Sequence, residues 1–297
     1  MPTPPLVFVG TATHDTIALV DRYPDADERV LVDDLVVAGG GPSATAAVAA
    51  ARLGRQVAFV GAVGDDSVGD AIVAGLRAEG VDTSGVVRRC GGRSSTSVVV
   101  VTRGQASRAI LHRPADSIVI SETGWSLIER AEWLHVDQAG WPLVDGWWRS
   151  RPDRPRLSVD AGNPIVGVSL DGVDLYVPTI AALRRRYGDH PSTDLLAAAI
   201  DEGARVVVAT DGANGVDVIG TEEPTLHVAA FDGDVHSTLG AGDVFHGALL
   251  AAIDRGLCRR DAVEYANAVA FLSCRGLDGR SAIPDHPSTM SFLRHQE

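Results

Sequence analysis

The chain has 297 residues, of which 45% are hydrophobic, 26 are basic and 39 are acidic, so its formal net charge is −13. This composition is typical of a globular protein and excludes collagen, coiled-coil and disordered chains. All 26 basic residues are arginines, which excludes a Walker A lysine and a Schiff-base lysine. The acidic balance argues against broad binding to nucleic acid or to an anionic membrane and favours a small-molecule partner.

The three cysteines, Cys90, Cys258 and Cys274, lie far apart and have no metal-finger or C-x-x-C spacing. The N-terminal residues have no signal-peptide pattern, and the sequence has no apolar stretch of about 20 residues. We therefore expect a cytoplasmic protein with reduced thiols and no membrane span.

The predicted elements begin with a short buried strand over residues 6–9. Residues 15–37 alternate polar and apolar positions, which predicts two or three strands outside the main core. An alanine-rich helix over residues 43–53, a strand over residues 57–60 and a helix that ends near Glu79 follow.

Residues 94–101 and 109–112 alternate in the same way and predict further strands of the same small flap. Core strands separated by helix-length segments are then predicted over residues 133–136, 157–159, 175–177 and 206–209. Residues 248–254 and 261–274 are helical in period and alanine content, and no further strong strand is predicted.

This alternation of strands and helices indicates an α/β fold with a mainly parallel sheet covered on both faces. We expect a single domain over residues 1–297, with the flap inserted at about residues 15–37 and 88–113. In such sheets ligands bind beyond the carboxyl ends of the strands, so the functional motifs are expected on those loops.

The most informative motif is Ser237-Thr-Leu-Gly-Ala-Gly-Asp243, which leads directly into a helix. Gly240, Ala241 and Gly242 can turn their backbone N–H groups toward one point at the helix N-terminus, where the helix dipole also favours an anion. Asp243 could then accept a proton from an attacking hydroxyl group beside a bound phosphoryl group. The same spacing is also typical of a helix cap, so both interpretations stay open on the motif alone.

This motif resembles the D-T-x-G-A-G-D signature of the ribokinase, or PfkB, carbohydrate kinases. The resemblance implies a three-layer α/β/α core with a small β-sheet lid, and it implies ATP with Mg²⁺ as the phosphoryl donor. It also implies that Asp243 is the catalytic base for a sugar hydroxyl and that residues 240–242 form the anion hole for the γ-phosphate.

The likeness extends over essentially the whole chain, because the glycine cluster and alanine-rich helix at residues 39–54 match the N-terminal signature of the family. The resemblance implies sugar contacts at Asp15, Gly40 and Gly41. The nucleotide-binding residues it implies are Thr210, Gly212, Gly215, Thr238, Asn267 and Ala270. Without the family context, a loop carboxylate, a bare turn and a helix core stripe are the more common explanations.

The flap segments match the lid of the family, which closes over the sugar and in several members pairs with a second subunit. The resemblance therefore implies a homodimer formed through the lid. Asp27 resembles a position that reaches the partner's sugar site in ketohexokinase-like members, and a solvated surface charge is the alternative.

Three departures from the family pattern affect the expected chemistry. Ser237 replaces an aspartate that helps to hold an activating monovalent cation, so a potassium requirement stays open. Gly41 and Ala44 replace asparagines of ketohexokinase-like members, so the recognised hydroxyl pattern must differ. The family's N-x-x-E motif has no good counterpart near residues 178–182, and Mg²⁺ is therefore expected mainly on ATP itself.

Residues 39–54, 242–249 and 279–285 resemble most the sulfofructose kinase branch of the family, which phosphorylates a ketose that carries a sulfonate. A sulfonate needs concentrated hydrogen-bond donors, and the candidate donors are Arg108, His112, Arg113 and Gln138. An unsulfonated ketohexose, a pentose and a nucleoside remain alternative substrates.

Two alternatives from other functional classes remain. Gly39-x-Gly41-x-x-Ala44 also fits a dinucleotide-binding fingerprint, which would indicate an oxidoreductase, although the preceding segment is predicted to be an exposed strand. A non-catalytic regulator that binds a sugar or a nucleotide on the same fold is the other alternative. A binding protein needs no base beside an anion hole, so the presence of Asp243 argues for an enzyme.

Overall fold

The computed structural model describes residues 5–103, 108–221 and 223–296. The strands are β1 (Leu6–Val9), β2 (Thr13–Val20), β3 (Asp34–Gly40), β4 (Val57–Gly64), β5 (Asp82–Arg89), β6 (Thr96–Thr102), β7 (Arg108–Arg113), β8 (Trp133–Val136), β9 (Arg156–Ala161), β10 (Leu175–Pro178), β11 (Val206–Thr210), β12 (Val216–Gly220) and β13 (Leu226–Val228). The helices are α1 (Pro42–Arg52), α2 (Ser67–Ala78), α3 (Glu122–Glu129), α4 (Trp141–Arg149), α5 (Ile180–Tyr187), α6 (Ser192–Asp201), α7 (Ala241–Asp254), α8 (Arg259–Ser273) and α9 (His286–Arg294). In these described ranges no helix is long and apolar enough to cross a lipid bilayer.

A nine-stranded sheet forms the centre of the molecule, in the order β13-β12-β11-β10-β9-β8-β1-β4-β5. The strands from β11 to β5 pair in parallel, whereas β12 and β13 are antiparallel at one edge. The predicted α/β fold with a mainly parallel sheet is confirmed. Because the parallel strands point the same way, their carboxyl ends meet along one edge, where ligands bind in sheets of this kind.

Helices cover both faces of this sheet, as the alternation of side chains along β1 requires. Leu6 and Phe8 enter an apolar core shared with α1, α2, α7 and α8, whereas Val7 and Val9 enter a second core shared with α3, α4, α5 and α6. The alanines of α1 have a packing reason, since a side chain at Gly247 of α7 would overlap the Ala46 carbonyl. The two helices therefore approach closely beside the site.

A second, smaller sheet consists of β3, β2, β6 and β7 in that order. On its inner face Ile17, Val99 and Val101 are buried in a small apolar cluster. The outer face is apolar and exposed, with Leu35, Val37, Val98 and Leu111 each at least half accessible to solvent. We call this four-stranded sheet the lid sheet.

Three strands of the central sheet were not predicted from the sequence. The strand β5 at one edge and the hairpin of β12 and β13 at the other follow turns rich in glycine and polar residues. Edge strands are short and only partly buried, so their apolar pattern is weaker than that of the central strands. The central strands β1, β8, β9, β10 and β11 lie where they are predicted, within a few residues.

Candidate active site

A cleft with a volume of 490 Å³ lies between the carboxyl ends of the central strands and the inner face of the lid sheet. Residues from the lid sheet, from the glycine cluster before α1 and from the N-terminus of α7 line this cleft. Among the predicted site residues, those that line it are Asp15, Gly40, Gly41, Arg108, His112, Gln138, Thr210, Gly240, Gly242 and Asp243. The tertiary fold therefore brings both sequence signatures to one cavity.

One end of the cleft is the N-terminus of α7. Gly240 is the residue before the helix and has a left-handed backbone with φ of 73°, which favours glycine. A side chain there would also lie 2.9 Å from Cα of Gly279, so the two loops touch backbone to backbone. The Ala241 N–H donates to the Thr238 carbonyl at 3.3 Å, whereas the N–H groups of Gly242 and Asp243 lie in the first turn, where a helix has no carbonyl for them.

The surface around Gly242 is open, because a Cβ atom built on this residue meets no other heavy atom within 4 Å. Free N–H groups, a helix N-terminus and open space together fit an anion such as a phosphate group. The chemistry of this end of the cleft is therefore that of an anion site without a lysine.

Asp243 lies in the first turn of α7 and is partly accessible from the cleft. Burial of its carboxyl group, together with the negative charge of Asp160, raises the pKa of Asp243 to about 7, although His246 and Arg108 oppose this shift. A carboxylate whose pKa lies near neutral pH can accept a proton and release it again in each turnover.

Asp160 at the end of β9 and His246 on α7 also line the cleft, and the sequence analysis did not identify either of them. Oδ1 of Asp160 lies 3.2 Å from Nε2 of His246 and accepts the Gly162 N–H at 2.9 Å. Burial alone would lower the pKa of His246, but the Asp160 carboxylate raises it overall. Burial opposes ionisation of Asp160 as well, and the charge of His246 holds its pKa below the usual value.

The opposite end of the cleft is built around Asp15 of β2. This side chain is 8% exposed, and within the described residues neither its Oδ1 nor Oγ1 of Thr13 has a hydrogen-bond partner. Gly40 lies directly beside them, since a Cβ atom on Gly40 would overlap Oδ2 of Asp15. Buried polar atoms without partners are rare in native proteins, so this pair fits a bound molecule that carries hydroxyl groups.

Asp137, which was not predicted either, fixes the loops at this end of the cleft. It is fully buried at the end of β8, and its carboxylate accepts backbone N–H groups at 2.8 to 3.3 Å from Thr11, Ser43, Ala139 and Gly140. These bonds join the loop after β1, the start of α1 and the loop after β8. Asp137 is therefore a structural anchor of the site.

Arg280 is a second anchor that the sequence analysis missed, and it comes from the loop after α8. Its guanidinium group is buried and donates to the Gly40 carbonyl at 2.8 Å and to Oγ1 of Thr45 at 3.1 Å. A side chain at Gly39 would overlap this guanidinium group. Burial lowers the pKa of Arg280 to about 10, so the group remains positively charged at neutral pH.

The predicted donors on the lid sheet divide into two groups. Arg108 donates to Oγ1 of Thr238 at 2.9 Å across the cleft, and Nδ1 of His112 lies 3.2 Å from Oγ of Ser97. Both residues line the cleft, together with Gln138, whose Oε1 has no partner among the described residues. Arg113 does not line it and donates instead to the Ser94 carbonyl at 3.1 Å.

Several predicted residues lie outside the lining of the cleft. Gly212 and Gly215 form a tight turn directly after Thr210, and Asn267 on α8 is buried and donates to the Ala229 carbonyl at 3.1 Å. Ala270 lies one turn further along α8. Asp27 is exposed, with a left-handed φ of 61°, in the segment between β2 and β3.

The dinucleotide alternative can be compared with the local structure at its glycines. Gly39, Gly41 and Ala44 connect β3 of the lid sheet to α1. The fingerprint of a dinucleotide site requires a buried parallel strand at that place, whereas β3 is an exposed antiparallel edge strand. The structural context that this motif needs is therefore missing.

Comparison with known proteins identifies the family. The profile of the pfkB family carbohydrate kinases matches residues 4–146 and 169–286. Mouse ketohexokinase is 27% identical, with 92% of this chain and 98% of that protein covered, and Bacillus subtilis ribokinase is 28% identical, with 97% and 99% covered. The structure of Arabidopsis thaliana ribokinase complexed with ribose and ATP superimposes with a TM-score of 0.84 at 22% identity and covers 98% of this chain and 99% of that one. The chain belongs to the pfkB family of carbohydrate kinases, and it is a sugar kinase.

Proposed function

We propose that this enzyme transfers the γ-phosphate of ATP to a hydroxyl group of a sugar, with Asp243 as the base. The observation that supports this most directly is that Asp243 and the open N-terminus of α7 face the unpartnered Asp15 carboxylate across one cleft. The sugar hydroxyl loses its proton to Asp243 and its oxygen bonds to the γ-phosphorus. The bond from this phosphorus to the β,γ-bridging oxygen breaks, and ADP leaves.

The anion hole in this proposal consists of residues 240–242, and Gly240 to Asp243 supply the groups of the reaction centre. The free N–H groups of the first turn stabilise charge on the transferred phosphoryl group. When bound with ATP, Mg²⁺ neutralises phosphate charge. Thr210 borders the cleft on the nucleotide side, and Gly212, Gly215, Thr238, Asn267 and Ala270 are proposed to support the nucleotide from behind this lining.

Asp15, Gly40 and Gly41 are proposed to bind the sugar. Oδ1 of Asp15 is a buried acceptor within the cleft, and a carboxylate can accept bonds from two neighbouring hydroxyl groups. Because Gly40 has no side chain, the sugar can approach Asp15 closely. The substrate is proposed to be a ketohexose, a sulfosugar or a pentose.

The role of Asp243 is tested with Asp243→Asn, which removes the base and almost no volume. We expect turnover to fall by roughly 10² to 10⁴ while ATP still binds in calorimetry. Asp261→Asn is the matched control, because Asp261 lies in the first turn of α8, away from the cleft. If both variants keep wild-type turnover, Asp243 is a helix cap and the proposed mechanism is wrong.

The substrate is identified by ADP release across ketohexoses, sulfofructose, ribose, fructose phosphates and nucleosides, with and without potassium. Arg108 and His112 line the cleft from the lid sheet and Gln138 from the loop after β8, and they are the donors available to an anionic substituent. A strong preference for sulfofructose that Arg108→Gln removes would support the sulfosugar. Equal turnover of unsulfonated ketohexoses would exclude it. The potassium arm tests the position of Ser237, whose hydroxyl accepts the Leu239 N–H and carries no charge.

A homodimer formed through the outer face of the lid sheet is part of this proposal. Leu35, Val37, Val98 and Leu111 expose an apolar surface there, and exposed apolar patches of this kind mark interaction sites. We expect Leu111→Glu to convert a dimer into a monomer in light scattering. Val166→Glu is the control, because Val166 is 96% exposed and lies outside the lid sheet.

A further inference from the structure

A buried polar layer lies between the sheet and α7, and the mechanism above does not use it. His135 of β8, Ser158 and Asp160 of β9 and His246 of α7 are each at most 6% exposed. The ring of His135 packs 5.2 Å from that of Phe8 on one side and 5.3 Å from that of His246 on the other. Buried ionisable residues in an otherwise apolar layer are uncommon, so this group calls for a reason.

The layer holds one positive charge, and it lies on His246. Burial and the charge of His246 lower the pKa of His135 to about 3, so His135 is neutral. Its Nδ1 lies 3.0 Å from Oγ of Ser158, and its Nε2 has no partner within the described residues. His246 is different, because its Nε2 lies 3.2 Å from the Asp160 carboxylate, which favours the imidazolium form.

This ion pair lies directly behind the proposed base. Asp243 and His246 are three residues apart on α7 and therefore project from the same side of the helix. Asp160 and His246 both line the cleft. The charged groups that act on Asp243 are the carboxylates of Asp160 and Asp137 and the cations of His246, Arg108 and Arg280.

A buried ion pair is not a good source of stability, because removing both charges from water costs about as much as their attraction returns. A different benefit is expected where such a pair lies beside a group that must stay ionised. Asp160 without His246 would place an uncompensated negative charge next to Asp243 and favour its protonated form, in which it cannot accept a proton.

We propose that His246, held in place and charged by Asp160, is a positioning residue that keeps Asp243 in its proton-accepting form. This inference rests on the proposed function, since it assumes that Asp243 is the base. His246 itself does not touch the sugar or take its proton. Its positive charge offsets that of Asp160, so the base is ionised over a wider pH range.

The test is the pH profile of kcat/KM for His246→Asn, Asp160→Asn and the double variant. For His246→Asn we expect the acidic limb to move up by about one pH unit, a tenfold loss at low pH with little loss at the high-pH plateau. The double variant removes both charges, so its limb returns to the wild-type position or below it. Opposite shifts of this kind cannot come from a packing defect alone.

His135→Gln is the matched control, because it alters the same layer but removes no charge, and its limb should stay in place. A second readout is the ¹⁵N NMR spectrum of His246, which should show an imidazolium ring at pH 7 in the wild type and a neutral ring in Asp160→Asn. If the single variant does not fold, the double variant and the spectrum still decide. A neutral His246 at pH 7, or a limb that stays fixed in every folded variant, would overturn the proposal.

The outcome is separable from failure of the proposed function. If Asp243→Asn is inactive and the limb does not respond to His246 or Asp160, only the positioning role is wrong. If Asp243→Asn is fully active, the base assignment itself is wrong.

Discussion

Substituting Gly40 with alanine tests the sugar end of the cleft by steric overlap alone. Gly40 does not have a left-handed φ, so alanine can adopt its backbone conformation. Its methyl group would overlap Oδ2 of Asp15 and would lie 2.9 Å from Cγ of Asp15 and 2.6 Å from Oγ1 of Thr13. Ordinary contacts begin at 3.4 Å, so Thr13 must move away by about 0.8 Å (3.4 − 2.6).

A displacement of this size breaks hydrogen bonds between Asp15 and the sugar. Each bond to a charged group contributes about 1.5–3 kcal/mol, so losing one lowers kcat/KM for the sugar roughly 10- to 150-fold. The fall should appear mainly in KM, measured by steady-state ADP release with saturating ATP. The Kd for ATP, measured by calorimetry without sugar, should not change.

Gly75→Ala is the matched control for this substitution. Gly75 is exposed within α2, and a Cβ atom there meets nothing within 4 Å. Alanine in an exposed helix interior is favoured over glycine by about 0.5–1 kcal/mol, so this variant should be slightly more stable to denaturant and fully active. Unchanged sugar KM in Gly40→Ala would refute the sugar-binding role of Asp15.

Three further predictions concern charged groups. Because the pKa of Asp243 is raised to about 7 and the base acts only when deprotonated, kcat/KM should fall tenfold per unit as the pH drops below 7. A limb near pH 4 in the wild-type pH profile would contradict this. Arg108→Ala removes the bond to Thr238, so the KM for ATP should rise several-fold while the melting temperature stays the same. Arg280→Met leaves the buried Gly40 carbonyl without its donor, so the free energy of unfolding should fall by about 1–3 kcal/mol in denaturant titration.

The central part of the fold could be predicted from the sequence because its signals are local. The strands β1, β8, β9, β10 and β11 are short apolar runs between polar loops, and the alanine-rich helix α1 begins after a proline and ends before a glycine. The strands β5, β12 and β13 lacked such signals. In β12 the residues alternate as Val216-Asp-Val-Ile-Gly220, and this pattern acquires meaning only when β11 pairs with it.

The site could be predicted to the extent that its residues lie in contiguous motifs. Asp243 and Gly240 belong to one signature and Gly40 to the other, and all three line the cleft. Their roles in the reaction stay predictions until the variants are measured. Asp137 and Arg280 have no local signal, because their importance comes from partners 126 and 240 residues away in the sequence. A single aspartate or arginine in a loop does not indicate which backbone groups it will meet.

The loop after α8 joins the two ends of the cleft in a way that neither signature predicts. Gly279 packs against Gly240 at the anion site, and the next residue, Arg280, donates to the Gly40 carbonyl at the sugar site. A displacement of this loop would therefore alter both half-sites together. Because the chain has no lysine and a net charge of −13, the ATP phosphates depend on backbone N–H groups and a few local cations rather than on a broad positive surface. Correct placement of Gly240 by this loop is thus a condition for binding ATP as well as for binding the sugar.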